Sequence, residues 1–317
     1  MSSSKSLRVG VIGPAGFGGS YLCVELLNRG HTVVGISRHP EKLGTHARYI
    51  SRSVDIDQAS IQELAAVFDS VDVLVSEYGP HTAGAGALLY MPYLETVRKL
   101  ILAYKQSSTN YFIFVGGAGS LHVPGSSECC VDHPDWFLAY RRAISTSLAH
   151  IAYMEDRLGF MGTSLRRYRE ARIAEREGTA TDQDIAEIAE YEGSIKAKDH
   201  ASDFIKAGRT SYMFFDSNES FRWSFASPSA LYRPGKRTGR YAISIDDMVL
   251  EGSQKQGESI FEGRLTGISV ADMAIAIADE VEEQKLVWKH WSAWGDISED
   301  MPAPAYLTLE SVDGGSR

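Results

Sequence analysis

The sequence is poor in cysteine, with three in 317 residues, and two of these, Cys129 and Cys130, are adjacent. That number excludes a disulfide framework and points to a reducing, cytoplasmic location. Asp132 and His133 stand close to the pair, but adjacent cysteines do not match the usual Cys-x2–4-Cys spacing of a zinc site and there is no second cluster. No metal is expected. Basic residues are also in deficit: 32 Lys and Arg face 41 Asp and Glu, a formal net charge of −9. A nucleic-acid polyanion is therefore excluded as the main partner. No apolar run reaches membrane-spanning length, so no membrane partner is expected either. Met1 to Lys5 is a short polar tail that runs at once into a strand, which leaves no room for a signal peptide. Internal repeats and low-complexity blocks are absent.

The residues present are those of an ordinary globular protein, 44% hydrophobic and 23% charged, with enough chain for a large core. The most informative stretch is Leu7 to Gly19. An apolar strand, Leu7 to Ile12, enters a glycine-rich turn, and an amphipathic helix follows from about Ser20. Gly13, Gly16 and Gly19 are spaced G-x-x-G-x-x-G. The first glycine permits a tight turn, the second a close backbone approach to phosphate, and the third close packing of helix on strand. The free N–H groups and dipole of the helix start then face the anion. This loop, with Ala15, Phe17 and Gly18 between the glycines, is the candidate seat of a dinucleotide pyrophosphate.

Further along, buried strands alternate with amphipathic helices, the pattern of a doubly wound α/β sheet. The second strand, His31 to Ser37, ends in Arg38 and His39 with no acid. An acid there suits the ribose 2′-hydroxyl of NAD, whereas an arginine suits the 2′-phosphate of NADP; the alternative is a solvated basic turn. Val54 to Ile56 reads as a short strand-like piece holding Asp55. Val71 to Ser76 is a clear strand, and its end places Ser76 and Gly79 near a cofactor ribose; His81 beyond them is a site candidate or an exposed loop residue. After a helix over Thr96 to Tyr104, the strand Tyr111 to Val115 opens into Gly116-Gly117-Ala118-Gly119-Ser120, which suggests close approach to the nicotinamide end. Ser120 there is either a polarising group or a turn serine. Trp136 to Leu158 reads as one helix flanking the crevice.

The ordered motifs Val-Ile-Gly-Pro-Ala-Gly-Phe-Gly-Gly, Ser-Arg-His-Pro-Glu-Lys-Leu, Val-Gly-Gly-Ala-Gly-Ser-Leu, Trp-Ser-Phe-Ala-Ser-Pro-Ser-Ala-Leu-Tyr and Pro-Gly-Lys-Arg-Thr-Gly-Arg-Tyr resemble those of NAD(P)H-binding atypical short-chain dehydrogenases of the NADH–flavin reductase-like, NmrA-like kind. The likeness covers roughly 7–158 and 221–295. It implies one Rossmann domain over 1–317 with a C-terminal substrate region over 229–317. It also implies that Arg38 selects NADP(H) over NAD(H), that Asp55 lies near adenine, that Gly116 to Ser120 border the nicotinamide, and that Pro228 covers its ring. One departure stands out. The Tyr-x-x-x-Lys of typical short-chain dehydrogenases is absent from the helix read over Trp136 to Leu158; Tyr140 is the tyrosine considered there, and Ile144 stands where the lysine belongs. Tyr140 and Ser120 are the candidate catalytic groups, with Tyr140 as a half-buried packing residue the alternative.

Between 159 and 218 the chain departs from the compact plan. Leu165 to Glu177 is helical and charged, Thr181 to Asp184 looks like a capping box, and Ile185, Ile188 and Ile195 form a sparse stripe that Phe204 and Ile205 continue. A lid or packing element is favoured over a dimer contact, so the chain is expected as monomer or homodimer. Phe221 to Ala226 is the sixth parallel strand. Arg240 to Ile245 and Gly263 to Thr266 are short-strand candidates, Ser269 starts a helix, Leu286 to Trp294 returns as a strand, and the tail from Met301 wraps or hangs loose. Three functions remain open: an oxidoreductase passing hydride from NADP(H) to a small flat molecule such as a flavin, quinone or conjugated carbonyl; a redox-neutral isomerase or dehydratase; and a non-catalytic NADP(H) sensor.

Overall fold

A computed structural model describes residues 6–79, 90–197, 200–297 and 303–312. His81 lies outside the described residues, as do the side chains of Phe204 and Ile205. Strand β1 (Arg8–Ile12) leads through the glycine loop to helix α1 (Phe17–Asn28), then to β2 (Thr32–Ser37), β3 (Tyr49–Ser53), α2 (Ile61–Phe68), β4 (Val73–Ser76), α3 (Tyr90–Gln106) and β5 (Tyr111–Val115). Helices α4 (Trp136–Ser145), α5 (Leu148–Leu158), α6 (Phe160–Glu177), α7 (Asp182–Lys196) and α8 (His200–Tyr212) follow. The chain re-enters the sheet at β6 (Trp223–Ala226) and continues through β7 (Leu231–Arg233), β8 (Ala242–Ile245), β9 (Gly267–Ser269), α9 (Val270–Glu283) and β10 (Lys289–Trp294).

The main sheet has the order β3-β2-β1-β4-β5-β6-β10-β8. All its pairs are parallel except β10 with the edge strand β8. This is a Rossmann-like, doubly wound α/β sheet. Because strand order reverses between β1 and β4, their carboxyl ends splay apart into a crevice. Strands β1, β4 and β5 are buried almost throughout, as a sheet covered on both faces requires. One face packs on α1, α9, α5 and α6; the other packs on α2, α3 and α8, where Phe112, Phe114, Phe215 and Phe225 meet.

Several boundaries differ from the sequence reading. The third strand is Tyr49–Ser53, not Val54 to Ile56, which follows it as irregular chain. Its outer residues are exposed, so the buried run that marks an inner strand is missing. The single helix expected from Trp136 to Leu158 is two, because the Ser147 hydroxyl accepts from the His150 N–H at 3.0 Å and caps a new start. The strand expected at Gly263 to Thr266 falls at Gly267–Ser269, pairing in parallel with β7. The capping box at Thr181 and Asp184 forms as read. Helices α6 and α7 pack on α4 and α5, with Arg142 bridging to Glu192 at 2.8 Å and Tyr168 donating to Glu192 at 2.7 Å. Among the described residues, none of helices α6 to α8 lines the crevice described below.

Two further ties hold the crevice wall. Arg237 makes two 2.9 Å bonds to the buried Glu25 of α1, which Arg29 also binds. Burial alone would raise the Glu25 carboxyl; Arg237 and Arg29 overcome this and hold it below its ordinary range. The segment 303–312 crosses α1, where Tyr21 donates to the Pro304 carbonyl at 2.5 Å and Leu307 N–H to the Ser20 hydroxyl at 3.1 Å. No helix among the described residues is long and apolar enough to cross a membrane.

Gly19 sets the distance between α1 and the loop, since a methyl group there would overlap the Gly13 carbonyl. Gly19→Ala is therefore expected to destabilise the fold by about 1–3 kcal/mol, read as a fall in the thermal midpoint. An unchanged midpoint would show that the loop has slack.

Candidate functional site

The crevice at the carboxyl ends of β1 and β4 is a cleft of about 630 Å³. Its floor is the glycine loop. Gly13 has a φ of +79°, a left-handed conformation that favours glycine. Gly16 occupies the cap position of α1 and offers no side chain, and the first turn of α1 holds no acidic residue. The leading N–H groups of that turn consequently lack the side-chain acceptor that most helix starts carry. A bare backbone cradle at an uncapped helix start fits a phosphate group. Above the loop the cleft is lined by Ser37 and Arg38 from the end of β2, by Val54 to Asp57 after β3, and by Glu77 to Gly79 after β4. Val115 and Gly116 from β5 and Asp156 and Arg157 from α5 close the far side, with Tyr232 and Tyr306.

Of the residues singled out in the sequence, Gly13, Gly16, Phe17, Gly18, Arg38, Asp55, Gly79 and Gly116 come together in this lining. Arg38 is exposed and its guanidinium has no hydrogen bond or ion pair among the described residues. Asp55 accepts from the Asp57 N–H at 3.0 Å, and Asp57 in turn takes the Tyr78 hydroxyl at 2.7 Å and the Thr96 hydroxyl at 2.9 Å, which fixes that wall. Ala15, Gly19, Ser76, Gly117, Ala118 and Pro228 are outside the lining. Ser76 is buried in the sheet beside Ile12, and Gly19 is pressed on the loop carbonyl. Ser120 is wholly buried in a polar knot: its hydroxyl lies 2.9 Å from that of Ser227 and 3.2 Å from Nε2 of His290. Burial pushes His290 down to about 3, so it is neutral there. This knot ties the chain that follows β5 and β6 to β10 and is outside the lining of the cleft. Tyr140 stacks on Trp136 at 5.9 Å and is outside the lining.

The sequence reading missed a pair on α5. Arg157 lines the cleft and donates to the Tyr153 hydroxyl at 2.5 Å. Their spacing is four, one helical turn, so Tyr153-x-x-x-Arg157 repeats the spacing sought in Tyr-x-x-x-Lys with arginine in place of lysine. That spacing was legible in the sequence. Burial raises the Tyr153 phenol and the positive charge of Arg157 only partly offsets it, so the hydroxyl stays protonated at neutral pH. Phe17 packs on Tyr153 at 4.4 Å and on Tyr232 at 5.0 Å, an aromatic wall at this end. Glu77 was passed over as a strand-end residue, and Tyr306 reaches the cleft only through the C-terminal crossing, which carries no local signal.

Residues 13–154 match the sequence model of a family described as NAD(P)H-binding. An uncharacterized protein of Bacillus subtilis, YwnB, is 24% identical over 279 residues, covering 87% of this chain and 92% of that protein. A crystal structure of a proposed epimerase from Bacteroides thetaiotaomicron aligns at a TM-score of 0.58 with 26% identity, covering 92% of this chain and 97% of that one. A proposed NADH-flavin reductase from Streptococcus pneumoniae shares the fold at a TM-score of 0.54 and 18% identity, over 92% and 100% of the two chains. Residues 13–154 are thus similar to an NAD(P)H-binding family, and the chain as a whole shares its fold with the Bacteroides protein.

Proposed function

We propose that the protein is an oxidoreductase that binds NADP(H) along this cleft and passes hydride to a small, flat acceptor at the Tyr153–Arg157 end. The observation that carries the cofactor choice is Arg38. It stands at the end of β2, in the cleft, with its guanidinium uncommitted and no carboxylate on the strand end itself. A planar guanidinium suits a 2′-phosphate and gives nothing comparable to a bare hydroxyl. The nicotinamide supplies the hydride when bound. The chain's own part is to seat the pyrophosphate on the α1 start, orient the ring beside Gly116, and keep water out with Phe17, Tyr232 and Tyr306.

A proton must accompany hydride when a carbonyl is the acceptor. Tyr153, like Tyr140 and Ser120, is outside the lining, but it packs on Phe17 and takes the bond of Arg157, both of which line the cleft, and this contact with the lining favours it as the donor. Flavins and quinones need less of this help and remain within the acceptor class. The Bacteroides protein, a proposed epimerase at 26% identity, favours a second reading in which the cofactor is retained and no net oxidation occurs. The two separate on one measurement, NADPH consumption with a flavin, quinone and conjugated-carbonyl panel. Net oxidation supports the first, and substrate conversion without it supports the second.

Arg38→Ala is expected to weaken NADPH by about 10- to 100-fold, the value of one or two charge-assisted contacts, with NADH nearly unchanged in a fluorescence titration. Equal losses for both would sink the assignment. Tyr153→Phe is expected to lower turnover of a conjugated carbonyl by about 100-fold or more while leaving NADPH affinity intact. Unchanged turnover would remove Tyr153 from the chemistry, and the same assay on Tyr140→Phe tests the alternative donor.

A further inference from the structure

Glu77 puts a carboxyl where the proposed ligand is most negative. The residue follows β4 directly, and its backbone lies against the glycine loop: its N–H donates to the Ile12 carbonyl at 3.0 Å, and its own carbonyl is 3.1 Å from where a Cβ on Gly13 would stand. The side chain then runs along the loop to the start of α1, where a methyl group on Gly18 would collide with the carboxylate. It lines the cleft, yet its Oε1 is buried and has no hydrogen-bond partner. An ionised carboxylate is an acceptor only and is poorly tolerated in such a place.

No charge nearby relieves it. Glu77 adds to the upward shift of Cys23 on α1 and Tyr232 on β7, both pushed well above their ordinary values chiefly by burial and both neutral. Asp156, Arg157 and Tyr306 line the same cleft from α5 and the C-terminal segment, and Arg38, Asp55 and Asp57 line its opposite wall. None of them forms an ion pair with Glu77 among the described residues. Burial accordingly raises the carboxyl to about 7.

We propose that Glu77 makes nucleotide binding proton-linked: the loop accepts a pyrophosphate with this carboxyl protonated and rejects it with the carboxyl ionised. The inference rests on the dinucleotide reading of the cleft given above. A neighbouring diphosphate disfavours the carboxylate further, so the carboxyl holds its proton more tightly in the complex than in the free protein. A group whose pKa rises on binding takes up a proton as the ligand arrives. Affinity is then full below the free-state value and falls as pH rises through it. At low pH the protonated Glu77 is also an O–H donor beside the phosphate oxygens.

The test is a fluorescence titration of the whole protein with NADH and with NADPH between pH 6 and 8.5, alongside Glu77→Gln, which keeps the shape and removes the charge. NADH is the cleaner probe, because it lacks the 2′-phosphate that titrates near the start of this range. The wild-type Kd is expected to rise by up to about tenfold per pH unit above the carboxyl midpoint. Glu77→Gln should hold the tight value throughout. Calorimetry of the unaltered protein in buffers of different ionisation enthalpy should show uptake of about one proton per nucleotide near pH 8, a result independent of how the variant folds. A flat wild-type profile with good binding, or a slope retained in Glu77→Gln, overturns the proton linkage and leaves the cofactor reading standing. Binding of neither nucleotide at any pH overturns both.

Discussion

The start of α1 is a helix end without a cap. Most helices that begin inside a protein satisfy their first N–H groups with a serine, threonine or carboxylate; here the cap position is Gly16 and the first turn has no acid. A start left in that state carries unspent hydrogen-bonding capacity and a positive dipole end. The fold is arranged to keep it in place. Gly19 lets the helix sit on the loop carbonyl, Arg237 and Arg29 pin Glu25 on the middle of the helix, and the 303–312 segment crosses it at Ser20 and Tyr21. Each contact fixes α1 from outside the cleft and leaves its opening turn free for a ligand.

The same division explains the motif around Pro234 to Tyr241. In the sequence it served only as a mark of family likeness. In the structure it is a clamp. Thr238 and Gly239 donate to the buried Asp272 at 2.7 and 2.9 Å, Arg237 reaches Glu25, and Tyr241 donates to Asp279. Asp272 itself stands in the first turn of α9, where a carboxylate suits the dipole. The motif therefore joins α1 to α9 and positions β7, whose Tyr232 faces the cleft. Of its basic residues, Arg237 is taken up by a carboxylate of the protein's own framework, Glu25.

What the sequence made legible follows from the range of the interactions involved. Strand β1, the glycine turn and α1 are local: periodicity and turn chemistry determine them within the twenty-one residues from Arg8 to Asn28, and the loop lies where it was read. Arg38 and Gly116 also fall in the cleft lining, because a strand end in a parallel sheet has a known place relative to the crevice. Strand β3 was misplaced because it is half exposed and lacks a buried run. Ser120 and Tyr140 were reasonable by composition, but the direction of a side chain at a strand end or on a helix is decided by packing. Ser120 turned inward to His290 and Tyr140 onto Trp136. Tyr306 and Tyr232 reach the site through long-range crossings that no window of sequence contains. Tyr153 and Arg157 are the instructive omission, since their i, i+4 spacing was present and only the expectation of lysine hid it.

That arginine matters for how the far end of the cleft behaves. A lysine in its place would be a compact ammonium that can shed its proton when buried; a guanidinium stays charged and presents a planar fork. Arg157 therefore keeps a fixed positive charge against Tyr153, enough to orient the phenol but not enough to overcome its burial. The outcome is a phenol that keeps its proton, suited to donating in a reduction and poor at accepting in the reverse direction. Burial thus acts on two acids: it brings the Glu77 carboxyl of the cleft lining to about 7, and it holds the Tyr153 phenol, packed on Phe17 and bonded by Arg157, away from ionisation. Environments that push titratable groups apart in this way suit them to different work: in the reading proposed above, the carboxyl answers to the charge of what binds, and the phenol to what reacts.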